Sequence, residues 1–204
     1  MWSYDLSGVE DQRVIDAVNR VDRAHFVPEE LKGSAYYDGP LPIGSHQTIS
    51  QPSLVAMMTQ YTLPRSEAKI LEIGTGSGYQ AAILGEVFGE VYTTEIIQDL
   101  AEEASERLER LGYDNVHVKH SDGYDGWIDE APFDAILITA SAPEFPDELL
   151  DQLKDGGRMV YPLGKQGGVQ ELVITIKKDG KLKHFTAGYV RFVPMTGRIM
   201  GHTP

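Results

Sequence analysis

Apolar residues near the start of the chain recur at helical spacing, and a long polar stretch follows them. The residues on one stripe are Val14, Ile15, Val18 and Val21. This spacing predicts an amphipathic helix over residues 9–21, and residues 53–63 repeat the pattern before Pro64. The stretch between them, residues 33–52, is rich in glycine and proline and poor in apolar residues. We therefore expect an ordered loop there, one that is unusually long for a compact domain.

From residue 69 the pattern changes to short apolar runs that alternate with helical ones. Strands are predicted over residues 69–74, 90–95, 115–120, 133–140 and 157–164, and helices over 79–89, 98–111 and 146–153. Strands separated by helices of this length form a mostly parallel sheet with helices on both faces. Residues 170–195 instead alternate around a turn at 178–181, which predicts an antiparallel C-terminal hairpin added to this α/β sheet.

Length and composition favour one domain. The chain has 204 residues, 41% of them hydrophobic, which is enough for a buried core. No repeat or low-complexity linker divides it. We predict a single domain over 1–204, with N-terminal helices and a polar loop over 1–66, an α/β core over 67–165 and a C-terminal hairpin and tail over 166–204.

Charge and cysteine content exclude several kinds of function. The formal net charge of −13 disfavours nucleic acid and anionic membranes as partners, because their phosphates select basic surfaces. The absence of cysteine excludes disulfides, thiolate zinc sites and a cysteine nucleophile, and the histidines show no metal-ligand spacing. Neither a signal-like segment nor an apolar run of roughly 18 residues is present. We expect a soluble, cytoplasmic protein without a metal.

The segment LEIGTGSGYQ, residues 71–80, places a glycine-rich loop at a strand-to-helix junction. Its glycines, Gly74, Gly76 and Gly78, follow a GxGxG spacing; the GxGxxG spacing of dinucleotide-binding folds would need glycine where Tyr79 stands. Glycines let the backbone turn sharply and approach a ligand closely. The loop therefore favours a cofactor that lacks the pyrophosphate which GxGxxG loops bind.

Acidic residues accompany this loop at the ends of successive predicted strands. Glu72 precedes the glycines, Glu95 ends the next strand, and Asp122 with Gly123 follows the third. Carboxyl ends of parallel strands share one edge of the sheet, where ligands bind, and a carboxylate about 20 residues after such a loop can hold ribose hydroxyls. Singly, Glu95 could be a helix N-terminal charge and Asp122-Gly123 a turn. Together they suit S-adenosylmethionine, which has a ribose, an exocyclic amine and a cationic centre.

Six segments, taken in chain order, carry a resemblance to a known family. They are PLPIGSHQTISQP, LEIGTGSGYQAAIL, SDGYDGW, APFDAILITA, GGRMVYPLG and VRFVPM. They resemble protein-L-isoaspartate (D-aspartate) O-methyltransferase over roughly residues 9–195, and QTIS at 47–50 is the most specific part. The resemblance implies the Rossmann-like fold of class I S-adenosylmethionine-dependent methyltransferases.

The resemblance also implies the reaction. A methyl group passes from S-adenosylmethionine to the α-carboxylate of L-isoaspartyl, and possibly D-aspartyl, residues in damaged proteins, and S-adenosylhomocysteine is left. The methyl ester converts to a succinimide, whose hydrolysis returns part of the aspartate. We expect a monomer that acts on proteins and peptides. An ionised carboxylate, with a reference pKa near 4, is already nucleophilic at neutral pH, so no general base is needed.

The resemblance assigns roles to particular residues. Thr48 and Ser50 fall next to the transferred methyl group, and Ser50 is expected to orient the carboxylate. The residues expected to bind the cofactor are Glu72, Gly74, Thr75, Gly76, Ser77, Gly78, Glu95, Asp122 and Gly123. The residues expected at the substrate are Tyr36, Asp38, Ile43 and Arg191. A structural cation in the hairpin is an equally good interpretation of Arg191.

One position departs from the family pattern. His46 stands where many bacterial and archaeal relatives have the second glycine of Gly-x-Gly-Gln-Thr-Ile-Ser, so we expect it to adopt a left-handed conformation or the loop to differ. Because the reaction needs no base, we expect a loop or surface role for this histidine.

Two other functions fit parts of the sequence. A methyltransferase of nucleic acid or of another small acceptor would share the glycine loop, but residues 139–143 lack the Asn/Asp-Pro-Pro-aromatic motif of amino-methylating DNA enzymes, and the acidic charge opposes nucleic acid. A non-catalytic cofactor-binding adaptor is the third possibility. The intact Thr48 and Ser50 argue against it.

Overall fold

The computed structural model describes residues 4–165 and 167–200. Helix α1, Gln12–Arg20, is capped by the Asp11 side chain, which accepts a hydrogen bond from the Arg13 backbone N–H. Helix α2, Pro52–Tyr61, begins with proline at its first position, where the missing N–H is not needed. Helix α1 lies inside the predicted range, and α2 begins one residue before its predicted range.

The polar stretch between these helices is more regular than the predicted loop. Strands β1, Leu41–Gly44, and β2, Gln47–Ile49, pair antiparallel into a small hairpin. Its two turn residues, Ser45 and His46, have φ of 49° and 58°, as a tight two-residue hairpin turn requires. The left-handed conformation expected for His46 is therefore confirmed. Strands of three and four residues are too short to show a reliable alternation in sequence.

The remaining elements alternate largely as predicted. They are β3 Lys69–Ile73, α3 Tyr79–Gly85, β4 Glu90–Glu95, α4 Gln98–Arg110, β5 Val116–His120, β6 Phe133–Ile138, α5 Asp147–Leu150, β7 Leu153–Leu163, β8 Gln170–Lys178 and β9 Lys181–Val190. The main difference is at β7, which starts at Leu153, inside the range predicted as helix. Its register against β6 shifts there, so the extra residues bulge out of the ladder.

The large sheet has the order β5-β4-β3-β6-β7-β8-β9. Pairing is parallel from β5 to β7 and antiparallel from β7 to β9. The β8–β9 turn places Asp179 and Gly180 at φ of 51° and 69°, which confirms the predicted hairpin. The chain runs outward from β3 to β5 and then returns to β6. The β3–β6 boundary is thus a topological switch point, where the carboxyl ends of parallel strands open into a crevice.

Both faces of the sheet are covered. Ile70 and Leu137 pack into one apolar cluster with the N-terminal helices and α3, whereas their sequence neighbours Leu71 and Ile136 pack into a second cluster on the other face. Alternate residues of a strand point to opposite faces, which explains why these central strands are apolar throughout. In the part of the chain described, no helix is both long and apolar enough to cross a membrane.

Candidate active site

A crevice of about 820 Å³, counting its solvent-open part, lies at the carboxyl edge of the sheet. The parts of the chain that line it include the end of the β1–β2 hairpin, the glycine loop after β3, the ends of β4 and β6, and the segment after β9. Residues on its wall include Thr48, Ser50, Gly74, Thr75, Gly76, Ser77, Glu95, Gly123, Thr139 and Met195. The switch point therefore brings two of the predicted sets, the hydroxyls and the glycines, to one cavity.

Backbone hydrogen bonds hold the glycine loop against the next strand. The N–H groups of Gly74 and Thr75 donate to the Thr94 carbonyl at 2.8 and 3.1 Å. Gly74 has φ of 98°, and a Cβ there would lie 2.5 Å from Thr139 Oγ1, a hydroxyl that donates to the Gly74 carbonyl at 2.6 Å. Only glycine meets both the left-handed backbone and this close approach.

Gly78 serves the packing of the loop and does not line the crevice. It caps α3 with φ of 86°, and a Cβ there would lie 3.3 Å from Leu108 Cδ1 of α4. The third glycine of the motif thus lets helix α4 pack closely against the start of α3. This position differs from the expectation that Gly78 would touch the cofactor.

Glu95 lies at the end of β4 with its carboxylate on the crevice wall. One oxygen accepts the Gly76 N–H at 2.8 Å and the other accepts the Ile97 N–H at 3.0 Å. The side chain is only 7% exposed. Each oxygen keeps a further lone pair, so the group can still accept two hydroxyl hydrogens from a bound ribose.

Glu72 is in β3, wholly buried below the crevice. Thr93 Oγ1 lies 2.6 Å from Glu72 Oε2 and 2.7 Å from Thr75 Oγ1, so two hydroxyls connect the carboxyl to the glycine loop. Burial, aided by the Glu95 charge and opposed by the Thr93 hydrogen bond, raises the pKa of Glu72 to about 8. This geometry differs from the expected contact with the cofactor. An uncharged Glu72 instead supports the loop from beneath.

Asp122 and Gly123 follow β5, and only Gly123 lines the crevice. A Cβ on Gly123 would lie 2.3 Å from Ile73 Cγ2, so the backbone can run here only because the residue is glycine. The Asp122 carboxylate accepts the Tyr124 N–H at 2.9 Å and the Arg198 N–H at 2.7 Å. It thereby joins the segment after β9 to the loop that carries Gly123.

Thr48 and Ser50 line the crevice at the end of the β1–β2 hairpin. Within the described residues neither hydroxyl has a hydrogen-bond partner, so both are available to a ligand. Ile43, on β1, reaches over the glycine loop, with its Cδ1 3.5 Å from where a Gly76 Cβ would be. The hairpin is therefore the roof of the site, and Ile43 is part of that roof.

The other three residues expected at the substrate lie off the crevice wall. The Tyr36 hydroxyl donates to Asp22 Oδ1 at 2.9 Å. Asp38 accepts the Ser53 N–H at 2.9 Å and so caps α2, whose own N-cap residue makes no side-chain cap. Arg191 is exposed just beyond β9. Tyr36 and Asp38 thus bond residues outside the crevice, and the substrate contact expected of the three residues stays a prediction.

Sequence reasoning missed several residues of the site. Tyr79 and Gln80 of α3, Thr139 after β6 and the segment 193–196 all line the crevice. The Arg23 guanidinium, beneath the hairpin, donates to the Ser50 carbonyl at 3.0 Å. A signal existed for Thr139, which directly follows a buried strand at the ligand-binding edge. No local pattern marks Arg23.

A family model described as protein-L-isoaspartate(D-aspartate) O-methyltransferase matches residues 1–200. The chain belongs to this family. A protein-L-isoaspartate O-methyltransferase from Opitutus terrae is 50% identical over 188 residues, which cover 92% of this chain and 81% of the relative. The predicted resemblance is therefore confirmed along nearly the whole chain.

Solved structures agree with the family assignment. A protein-L-isoaspartate O-methyltransferase superposes with a TM-score of 0.87 at 30% identity, covering 95% of this chain and 63% of the other. A beta-aspartate methyltransferase from Plasmodium falciparum, in complex with S-adenosyl-L-homocysteine, gives 0.80 at 26% identity, with 93% of each chain covered. The predicted class I fold is confirmed. As a member of this family, the protein is an S-adenosylmethionine-dependent methyltransferase that repairs isoaspartyl proteins.

Proposed function

We propose that this crevice holds the cofactor along the glycine loop and the α-carboxylate of an isoaspartyl residue beneath the β1–β2 hairpin. The observation that carries the proposal is the shared cavity, in which the free hydroxyls of Thr48 and Ser50 face the glycine loop across one space. Binding two reactants side by side removes much of the entropic barrier to their reaction.

The chain's own residues fit S-adenosylmethionine. The backbone of Gly74 and Gly76 lies open on the wall, where side chains would narrow the cavity. Glu95 has lone pairs for the ribose hydroxyls, and Gly123, with Asp122 beside it, is at the end where we place the adenine. When bound, the cofactor supplies a methyl group on a cationic sulfur. No phosphate-binding arrangement is needed, in agreement with the GxGxG spacing.

The hairpin holds the acceptor carboxylate and shields it from water. We assign Ser50 and Thr48 to donate hydrogen bonds to the substrate carboxylate and so to turn one oxygen toward the methyl donor. The carboxylate is ionised at neutral pH, so neither residue has to remove a proton. Ile49, Val55 and Met195, also on the wall, exclude water from the reacting groups.

The finer features of the activity are part of the same proposal. We infer that D-aspartyl residues are accepted along with L-isoaspartyl ones, as the description of the family model includes both. A cytoplasmic location is supported by the cysteine-free composition, which suits a reducing compartment. We also propose that the protein acts as a monomer.

The test is methyl transfer from radiolabelled S-adenosylmethionine to a synthetic isoaspartyl peptide, with the matching aspartyl peptide as control. We expect base-labile label in the isoaspartyl peptide alone. Equal labelling of both peptides would contradict the repair assignment. Cofactor binding without transfer to either peptide would favour an adaptor.

A further inference from the structure

The Arg23 side chain is buried beneath the β1–β2 hairpin, with 0% of its surface exposed. Its guanidinium donates to four backbone carbonyls. Nη1 bonds the Ala35 and Tyr37 carbonyls at 2.9 and 3.0 Å, and Nη2 bonds the Gly39 and Ser50 carbonyls at 2.8 and 3.0 Å. Four of its five donors therefore bind one segment of the chain, residues 35–50, which contains the β1–β2 hairpin and the residues on both sides of it.

The two carbonyls that share Nη2 occupy particular places. Gly39 lies just before β1, and Ser50 directly follows β2. One nitrogen thus joins the two ends of the hairpin, Gly39 and Ser50, which we call its feet. A two-stranded hairpin is marginally stable without further contacts, so this junction fixes how the hairpin sits on the body of the protein.

A buried arginine at this junction lowers the stability of the fold. No carboxylate is among its hydrogen-bond partners in the described residues, and its Nε has no partner there. Burial lowers its pKa, against attraction from the Tyr79 hydroxyl and, more weakly, Asp38, and its guanidinium lies 5.9 Å from the centre of the Tyr79 ring. Burying a charge without a paired ion costs stability. The planar fork of five donors is what other side chains cannot supply.

We propose that Arg23 is a positioning residue for methyl transfer: it locks the two feet of the β1–β2 hairpin so that the Ser50 and Thr48 hydroxyls face the acceptor carboxylate. The proposal rests on the role proposed above for those hydroxyls. Arg23 itself touches neither reactant. It acts through the Ser50 backbone and the hairpin geometry.

The first experiment compares Arg23→Lys with wild type and with Arg20→Ala. Arg20 is the matched control, an exposed arginine on α1 that pairs with Glu86 on the surface. We expect kcat for an isoaspartyl peptide to fall about 100-fold in Arg23→Lys, the size of effect known for small misplacements of catalytic groups. The Kd for S-adenosylhomocysteine should change less than about threefold, because the glycine loop and Glu95 stay in place, and Arg20→Ala should match wild type.

The second experiment is chemical rescue of Arg23→Ala. Guanidinium ion, at concentrations too low to unfold the protein, should restore turnover, whereas urea, a neutral molecule of the same shape, should not. If Arg23→Ala does not fold, Arg23→Lys alone carries the test.

Three results would overturn the proposal: wild-type turnover in Arg23→Lys, equal loss of turnover and cofactor affinity, or equal rescue by urea and guanidinium. In each case wild type would still methylate the isoaspartyl peptide. Failure of wild type to do so would instead contradict the proposed function, so the two outcomes are distinguishable.

Discussion

The floor and the roof of the crevice are held in different ways. The glycine loop and Glu95 form the floor, joined to buried parallel strands by backbone hydrogen bonds such as those to the Thr94 carbonyl. The β1–β2 hairpin forms the roof and, among residues 4–165 and 167–200, is a separate two-stranded sheet whose two feet are joined by one buried guanidinium from outside it. The side where we propose that the cofactor binds is thus part of the sheet, and the side proposed for the acceptor is attached to it. Substitutions in the floor should therefore change stability or cofactor affinity, whereas substitutions in the roof should lower turnover.

The largest effect should come from Glu72→Gln, which removes the buried carboxyl under the floor. With its folded pKa raised to about 8, wild-type Glu72 keeps a proton that the unfolded chain loses above about pH 4.5. Wild-type stability should therefore fall as pH rises between these values, and the variant should not share that loss.

We expect the free energy of unfolding of Glu72→Gln, relative to that of wild type, to rise by roughly 2–4 kcal/mol from pH 5 to pH 8. The slope should be at most about 1.4 kcal/mol per pH unit. Urea unfolding at each pH measures it. Glu106→Gln, at an exposed position of α4, is the control. Parallel stability curves for wild type and Glu72→Gln would show that Glu72 is ionised in the folded protein.

Glu95→Ala tests the floor at the ribose. Removing the carboxylate that we propose accepts two ribose hydroxyls should raise the Kd for S-adenosylhomocysteine about 100-fold, since a hydrogen bond to a charged group contributes about 1.5–3 kcal/mol. The KM for the peptide, measured at saturating cofactor, should stay near wild type because the hairpin is unaffected. Titration calorimetry gives the affinity. An unchanged Kd would remove Glu95 from the cofactor site.

Ser50→Ala tests the roof. In contrast to Glu95→Ala, this variant should lose turnover and keep its affinity for the cofactor product. We expect kcat for the isoaspartyl peptide to fall about 30-fold from the loss of one hydrogen bond to a charged carboxylate. The Kd for S-adenosylhomocysteine should stay within about twofold. A rate assay with calorimetry separates the two quantities, and wild-type turnover would exclude Ser50 from the reaction.

The smallest effect should come from His46→Gly at the tip of the hairpin. Glycine relieves the left-handed backbone of His46 but gives the unfolded chain more freedom, so we expect stabilisation of at most about 1 kcal/mol. The urea midpoint measures it. Methyl transfer should remain within about threefold of wild type, because the reaction requires no proton transfer from this residue. Loss of activity with unchanged stability would point to a chemical role for this residue.

Sequence alone was sufficient for most of the floor. The switch from helical to strand periodicity, the glycine spacing and Glu95 at a strand end are local features, and a parallel sheet brings strand ends together whatever the details of packing. The structure of the roof could be predicted less completely from the sequence. The family resemblance singled out Thr48 and Ser50, but the hairpin's short strands were predicted as loop because too few residues alternate.

Only the tertiary structure decided which of the predicted residues line the crevice and which instead hold the surrounding elements in place. Glu72 and Asp38 appear in sequence as candidate binding groups, yet one is buried below the loop and the other caps α2. Arg23 begins the short 3-10 helix Arg23–Phe26 and has no motif around it, and its four acceptors lie 12 to 27 residues away along the chain. Local patterns report backbone preferences and strand ends. Burial and long-range hydrogen bonds depend on how distant segments pack, and no local pattern records that.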